Sequence, residues 1–234
     1  MQKRLDKKHP LAIRWLHWIN FPFISLMIWS GLLIYWANPV YGIRIFGYEL
    51  FKFFPQSFYD LLGIRFRLAE GMQIHFFFMW LFAVNGLVYV VYLIVSGEWR
   101  AILPVPGSLK RALNVALYDV RIVKKAPPRG KYNDAQRIAY MSVILMGAGS
   151  VLTGIAIYKP LQLSWLTALF GGYEWARWLH FWLTICFVLF FLVHIVQVAL
   201  AGWRNFNSMI TGVEIVDVSS KSPRPGVTTE EAPS

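Results

Sequence analysis

The chain has 234 residues, 57% of them hydrophobic and 15% charged, with a formal net charge of +11. Soluble domains hold about 45–50% apolar and about 25% charged residues, so lipid rather than water is the expected solvent. The single cysteine, Cys186, excludes a disulfide framework and any cysteine-ligated metal or iron–sulfur centre.

Four stretches, near 11–36, 71–95, 136–158 and 175–201, are apolar over the roughly 20 residues that a membrane-crossing helix needs. The first follows MQKRLDKKHP; its apolar run is too long for a signal peptide and lacks a small-residue cleavage site, so it is expected to be a retained helix. Pro10 suits its first turn, and Asn38-Pro39 ends it. The connection NPVYGIRIFGYELFKFFPQSFYDLLGIRFRLAEG is rich in Phe and Tyr. Its aromatics are expected at headgroup depth, and it also offers docking surface for an extracytoplasmic partner. After the second span comes SLKRALNVALYDVRIVKK, residues 108–125. Leu109, Leu113, Ala116, Leu117 and Val120 share one helical face there, which predicts an amphipathic helix lying on an anionic leaflet. APPRG breaks it. The third span contains MGAGSVLTG, whose Gly147, Gly149 and Gly154 allow close approach of a neighbouring backbone or of a flat cofactor. The fourth lies within ARWLHFWLTICFVLFFLVHIVQVALAGW. The fold class expected is an all-α membrane protein, a four-transmembrane-helix bundle over residues 1–205, followed by a disordered tail at 206–234.

Seventeen of the 23 Lys and Arg residues fall in the N-terminal segment, the 96–137 connection and the C-terminal region. The positive-inside rule then places both termini in the cytoplasm. Topology accounts for the basic charge, with no sign of a nucleic-acid footprint.

Of five histidines, His17, His75, His180 and His194 lie inside predicted spans. Ionisable groups at membrane depth are costly and face the bundle interior. Fourteen residues separate His180 from His194, which is about 21 Å along a helix and about 40° short of four full turns. The two rings therefore share one face at opposite depths. With the helices running alternately up and down, His75 matches His180 near the outer surface, and His17 matches His194 near the inner one. Two histidines leave zinc under-ligated, and no carboxylate lies inside a span for a carboxylate-bridged di-iron site. A haem iron, already holding four porphyrin nitrogens, needs two axial ligands, so a bis-histidine pair fits it. Without Cys-x-x-Cys-His, the two haems would be b-type. A six-coordinate iron has no open position for oxygen chemistry, which favours electron transfer.

One histidine on each of spans 1 and 2, none on span 3 and two on span 4 resembles the cytochrome b561-type membrane subunits of bacterial oxidoreductases. These include the b-type cytochromes of nickel–iron hydrogenases and the gamma subunit of formate dehydrogenase. RWLHWIN at 14–20, KYNDAQRIAYM at 131–141 and the paired WLH and HIV of span 4 carry the resemblance, which covers residues 8–205. It implies two haem b groups, His75 with His180 on the outer one and His17 with His194 on the inner one. It also implies electron transfer between a periplasmic redox partner and membrane quinone. Arg177 and Arg67 are expected at the outer propionates, Arg14 and Arg137 at the inner ones; the alternative for each is an interfacial anchor. His9, with Arg14, is a candidate for proton delivery at a quinone site, or else a solvated residue at a helix start. The competing functional reading is a stand-alone cytochrome b561 that oxidises superoxide and reduces quinone. A haem-free transporter or scaffold is a third.

Overall fold

Four helices of 25 to 29 residues carry the apolar stretches in this computed structural model, which describes residues 3–7, 9–37, 42–46, 48–119, 121–124 and 132–217. In chain order the elements are strand β1 (Lys3–Lys7), helix α1 (Leu11–Ala37), strands β2 (Gly42–Ile45) and β3 (Tyr48–Lys52), helices α2 (Gln56–Leu62), α3 (Leu68–Ser96), α4 (Trp99–Ile102), α5 (Ser108–Asp119), α6 (Asp134–Tyr158), α7 (Ser164–Leu169), α8 (Tyr173–Ala201) and α9 (Trp203–Thr211), and strand β4 (Val213–Asp217). Helices α1, α3, α6 and α8 are long and apolar enough to cross a membrane. They coincide with the four predicted spans, and the all-α class holds for them. Among the described residues, strand is confined to two small antiparallel pairs outside the spans, β1 with β4 and β2 with β3.

The chain divides into two compact units, Leu16–Val193 and Met1–Trp15 with His194–Ser234. The first unit is a ring of the four long helices. Phe23 of α1 meets Phe78 of α3, Phe76 of α3 meets Tyr158 of α6, and Tyr35 of α1 stacks on Phe181 of α8 at 5.2 Å. Helix α6 closes on α8 through its glycines: a Cβ on Gly149 would lie 3.1 Å from Leu183 and one on Gly154 3.2 Å from the His180 ring. Close approach to a neighbouring helix is thus what these small residues serve. Asn85 of α3 donates to the Leu16 carbonyl at 3.2 Å and to Asn20 Oδ1 at 3.3 Å, tying α3 to α1 inside the apolar layer.

The aromatic connection after α1 is split in its exposure. Tyr59 and Ile64 are buried against Leu33, with Phe54 and Phe58 packed on the same cluster, whereas Phe46, Tyr48 and Phe66 are exposed. Part of the segment expected at headgroup depth therefore folds inward. Burial, and then the neighbouring Tyr35, pushes the Tyr59 phenol above its ordinary range.

The segment at 108–125 is shorter as a helix than its pattern suggested. Helix α5 stops at Asp119 and Arg121 adopts a left-handed backbone (φ 63°); Val120 and Lys125 lie outside the described residues. Its docking is polar. Arg111 makes a bidentate pair with Asp134 at the start of α6 (Nε to Oδ2 2.8 Å, Nη2 to Oδ1 3.0 Å), and Ser108 donates to the same carboxylate. Leu109 and Leu113 are left 77% and 60% exposed, as an amphipathic surface helix requires. Asn133 and Gln136 close a capping box over the first turn of α6.

In the second unit, β1 pairs with β4 from Lys3↔Asp217 to Lys7↔Val213. Helix α9 ends at Gly212, whose left-handed backbone (φ 84°) turns the chain into β4. The Gly212 carbonyl accepts the His9 N–H at 3.3 Å, and Arg14 Nη1 donates to the Ile210 carbonyl. A tail beginning at residue 206 is therefore corrected: helix and strand continue to Asp217, because the N-terminal strand supplies β4 with backbone partners. Residues 218–234, where the rest of that tail was expected, lie outside the described residues.

Candidate functional site

His75 and His180 each lie seven residues beyond the first residue of their helices, α3 (68 to 75) and α8 (173 to 180). Across the bundle their rings face each other with centroids 6.2 Å apart and planes at 72°. The two remaining helices of the ring each supply a hydroxyl to this pair. Ser30 of α1 lies 2.9 Å from His75 Nδ1, and Thr153 of α6 lies 3.0 Å from His180 Nδ1. Both hydroxyls are buried, at 0% and 1% exposure, so water does not compete for these bonds. Gly154, beside Thr153, leaves room for the His180 ring; a methyl there would press on Cε1.

The donor set excludes some chemistries and fits one well. Among the described residues no three His, Cys, Asp or Glu side chains converge, so neither a four-ligand zinc site nor a carboxylate-bridged site is built. For a bis-imidazole iron, two axial bonds of about 2 Å plus about 1.1 Å from each nitrogen to its ring centre put the centroids about 6 Å apart. The observed 6.2 Å meets that requirement.

His17 is half-buried and packs edge-on against Trp18 at 5.4 Å; His194, half-buried on α8, belongs to the other compact unit. The arginines expected at propionates are found as follows. Arg67 donates through Nε to Glu70 Oε2 at 2.8 Å, and Arg177, 18% exposed, lies 3.3 Å from Glu174 and 5.6 Å from the Tyr173 ring centre. Both thus pair with a carboxylate in the first turn of their own helix; the Glu70 hydrogen bond raises the Arg67 pKa, holding it charged. Arg14 sits under the end of α9, where a Cβ on Gly212 would lie 2.9 Å from its guanidinium carbon. Arg137 is half-buried in the first turn of α6, near Asp134. His9 is half-buried at the Gly212 turn.

Sequence reasoning found both histidines of the central pair and missed Ser30 and Thr153. Thr153 stands inside the quoted MGAGSVLTG, next to the glycine that admits His180; Ser30 likewise precedes a glycine, Gly31, where a Cβ would lie 3.8 Å from the His75 ring.

The profile of the family described as prokaryotic cytochrome b561 matches residues 8–212. The chain is 36% identical over 214 residues to a protein of Azospira oryzae named "Putative protein-methionine-sulfoxide reductase subunit YedZ1", the match covering 91% of this chain and 100% of that protein. Four apolar helices, a facing histidine pair and a family match across most of the sequence converge on one assignment. The chain belongs to the prokaryotic cytochrome b561 family, whose members are haem-binding electron-transfer proteins of the membrane.

Proposed function

We propose that this chain is a di-haem cytochrome b of the bacterial inner membrane. It carries electrons between the quinone pool and a periplasmic oxidoreductase, with both termini in the cytoplasm. The observation that carries the reading is the His75–His180 pair, held at 6.2 Å on facing helices with each Nδ1 already hydrogen-bonded. When bound, haem b supplies a one-electron ferric/ferrous couple. His75 and His180 would hold the outer group through their Nε2 atoms. For the inner group, His17 and His194 are the proposed ligands, on the strength of their shared depth in the sequence: six residues into α1 (11 to 17) and seven before the end of α8 (194 to 201).

The Azospira oryzae relative is named as a reductase subunit, which supports a soluble reductase as partner here and electron flow from quinol outward. Reduction of a sulfoxide takes two electrons and two protons per oxygen removed as water, and the pool supplies the electrons. Arg177 and Arg67 would face the outer propionates while sharing Glu174 and Glu70; Arg14 and Arg137 would face the inner ones. His9 would pass protons at the quinone end.

His180→Ala tests the assignment. The purified variant is expected to hold one haem where the parent holds two, halving the reduced-minus-oxidised band. Two haems per chain in that variant would remove His180 from the ligand set.

A further inference from the structure

From the hydroxyl geometry we infer that Ser30 and Thr153 are positioning residues: they fix the imidazole tautomers of His75 and His180 and set the redox poise of the iron between them. The inference rests on the haem reading above and goes beyond it, because neither residue would touch the iron or the porphyrin.

The direction of each hydrogen bond follows from counting protons. A hydroxyl has one hydrogen to give. Ser30 Oγ lies 2.6 Å from the Leu26 carbonyl and 3.2 Å from the Met27 carbonyl, and Thr153 Oγ1 lies 2.6 Å from the Gly149 carbonyl and 3.3 Å from the Ser150 carbonyl. Carbonyls only accept, so both hydroxyl hydrogens point back into their own helices. What remains toward each histidine is a lone pair. His75 Nδ1, at 2.9 Å, and His180 Nδ1, at 3.0 Å, must therefore be the donors. A neutral imidazole that carries its proton on Nδ1 has a bare lone pair on Nε2, the form that ligates a metal.

The same bonds act on the iron. An N–H that donates to a hydroxyl oxygen leaves its ring more electron-rich, and a richer ligand favours the ferric state. Each hydroxyl is itself polarised by the carbonyl it serves, which strengthens it as an acceptor within a buried chain. The arrangement uses all four long helices: α3 and α8 give the ligands, α1 and α6 the hydroxyls. It also accounts for α6, the one span without a histidine.

The test compares the full-length protein in detergent with Ser30→Ala, Thr153→Val and the conservative Thr153→Ser. Haem per chain, potentiometric titration of the reduced band and haem loss to an excess of apomyoglobin are read for each. Ser30→Ala and Thr153→Val are expected to move one of two redox transitions upward by up to tenfold in the ferrous-to-ferric ratio, about 59 mV for one electron. They are also expected to release that haem about 10–100-fold faster. The other transition stays put, and Thr153→Ser restores the parental values. Should Thr153→Val fail to fold, Ser30→Ala carries the comparison alone. A pigmented protein in which Ser30→Ala leaves both potentials and the loss rate unchanged overturns the inference while leaving the haem reading intact. A pigment-free parent protein overturns that reading and, with it, the inference.

Discussion

A carboxylate one turn away decides how an interfacial arginine is employed. Arg67 and Arg177, expected at propionates from their depth beside His75 and His180, each find a glutamate three residues away. Such i,i+3 pairs are visible in a sequence, but whether the pair forms or opens toward a ligand is not. Ser30 and Thr153 were illegible for a different reason. A hydroxyl in a membrane helix can always satisfy itself on the preceding turn, so its residue type says nothing of a second partner. The histidines were legible because an imidazole at that depth demands an explanation and a serine does not. His9 offers a test at this scale. Its N–H to Gly212 is a backbone bond, so His9→Ala leaves the turn in place and removes only the ring. Oxidation of quinol, the direction proposed, releases protons that a ring there would accept. The variant is therefore expected to oxidise a quinol analogue more slowly than the parent while holding the same haem per chain. Equal rates would exclude the role.

At the scale of elements, the spans were the easiest features to read and their facing sides the hardest. Hydropathy finds a helix that is apolar all round, but no polar stripe then marks which side meets its neighbours. The glycines of α6 gave a partial answer, since a flat helix surface invites a close neighbour; that the neighbour is α8, at Leu183 and His180, needed the structure. KYNDAQRIAYM shows the opposite case. Its Asn133 and Gln136 announce a helix start, and the structure adds that Asp134 between them anchors α5 through Arg111 and Ser108. Asp134→Asn or Arg111→Gln is therefore expected to free α5 from α6 and to hasten limited trypsin cleavage between Gly97 and Asn133, with the spans intact. Cleavage at the parental rate would mean that apolar packing alone holds α5.

For the whole molecule, composition and charge carried the reading: four spans and a bilayer were evident before any residue was placed. The pairing of β1 with β4 was not, because it joins Lys3 to Asp217 and neither segment is strand-like enough by itself to announce a partner so distant. The proposed orientation rests on the distribution of basic charge and is open to a direct check. A reporter enzyme active only outside the cytoplasm, fused after Lys52, is expected to be active, and the same reporter after Lys124 silent. The reverse pattern would invert the proposed topology.

The facing of His75 and His180 also has a consequence for biosynthesis. Roughly a hundred residues of translation separate the two rings, and at about 5–20 residues per second the ribosome needs about 5–20 s to cover them. His75 thus enters the bilayer well before its counterpart exists, and of the four long helices α8 emerges after the other three. Capture of the proposed haem at this pair would have to wait for α8, so a chain stopped before α8 is expected to stay colourless.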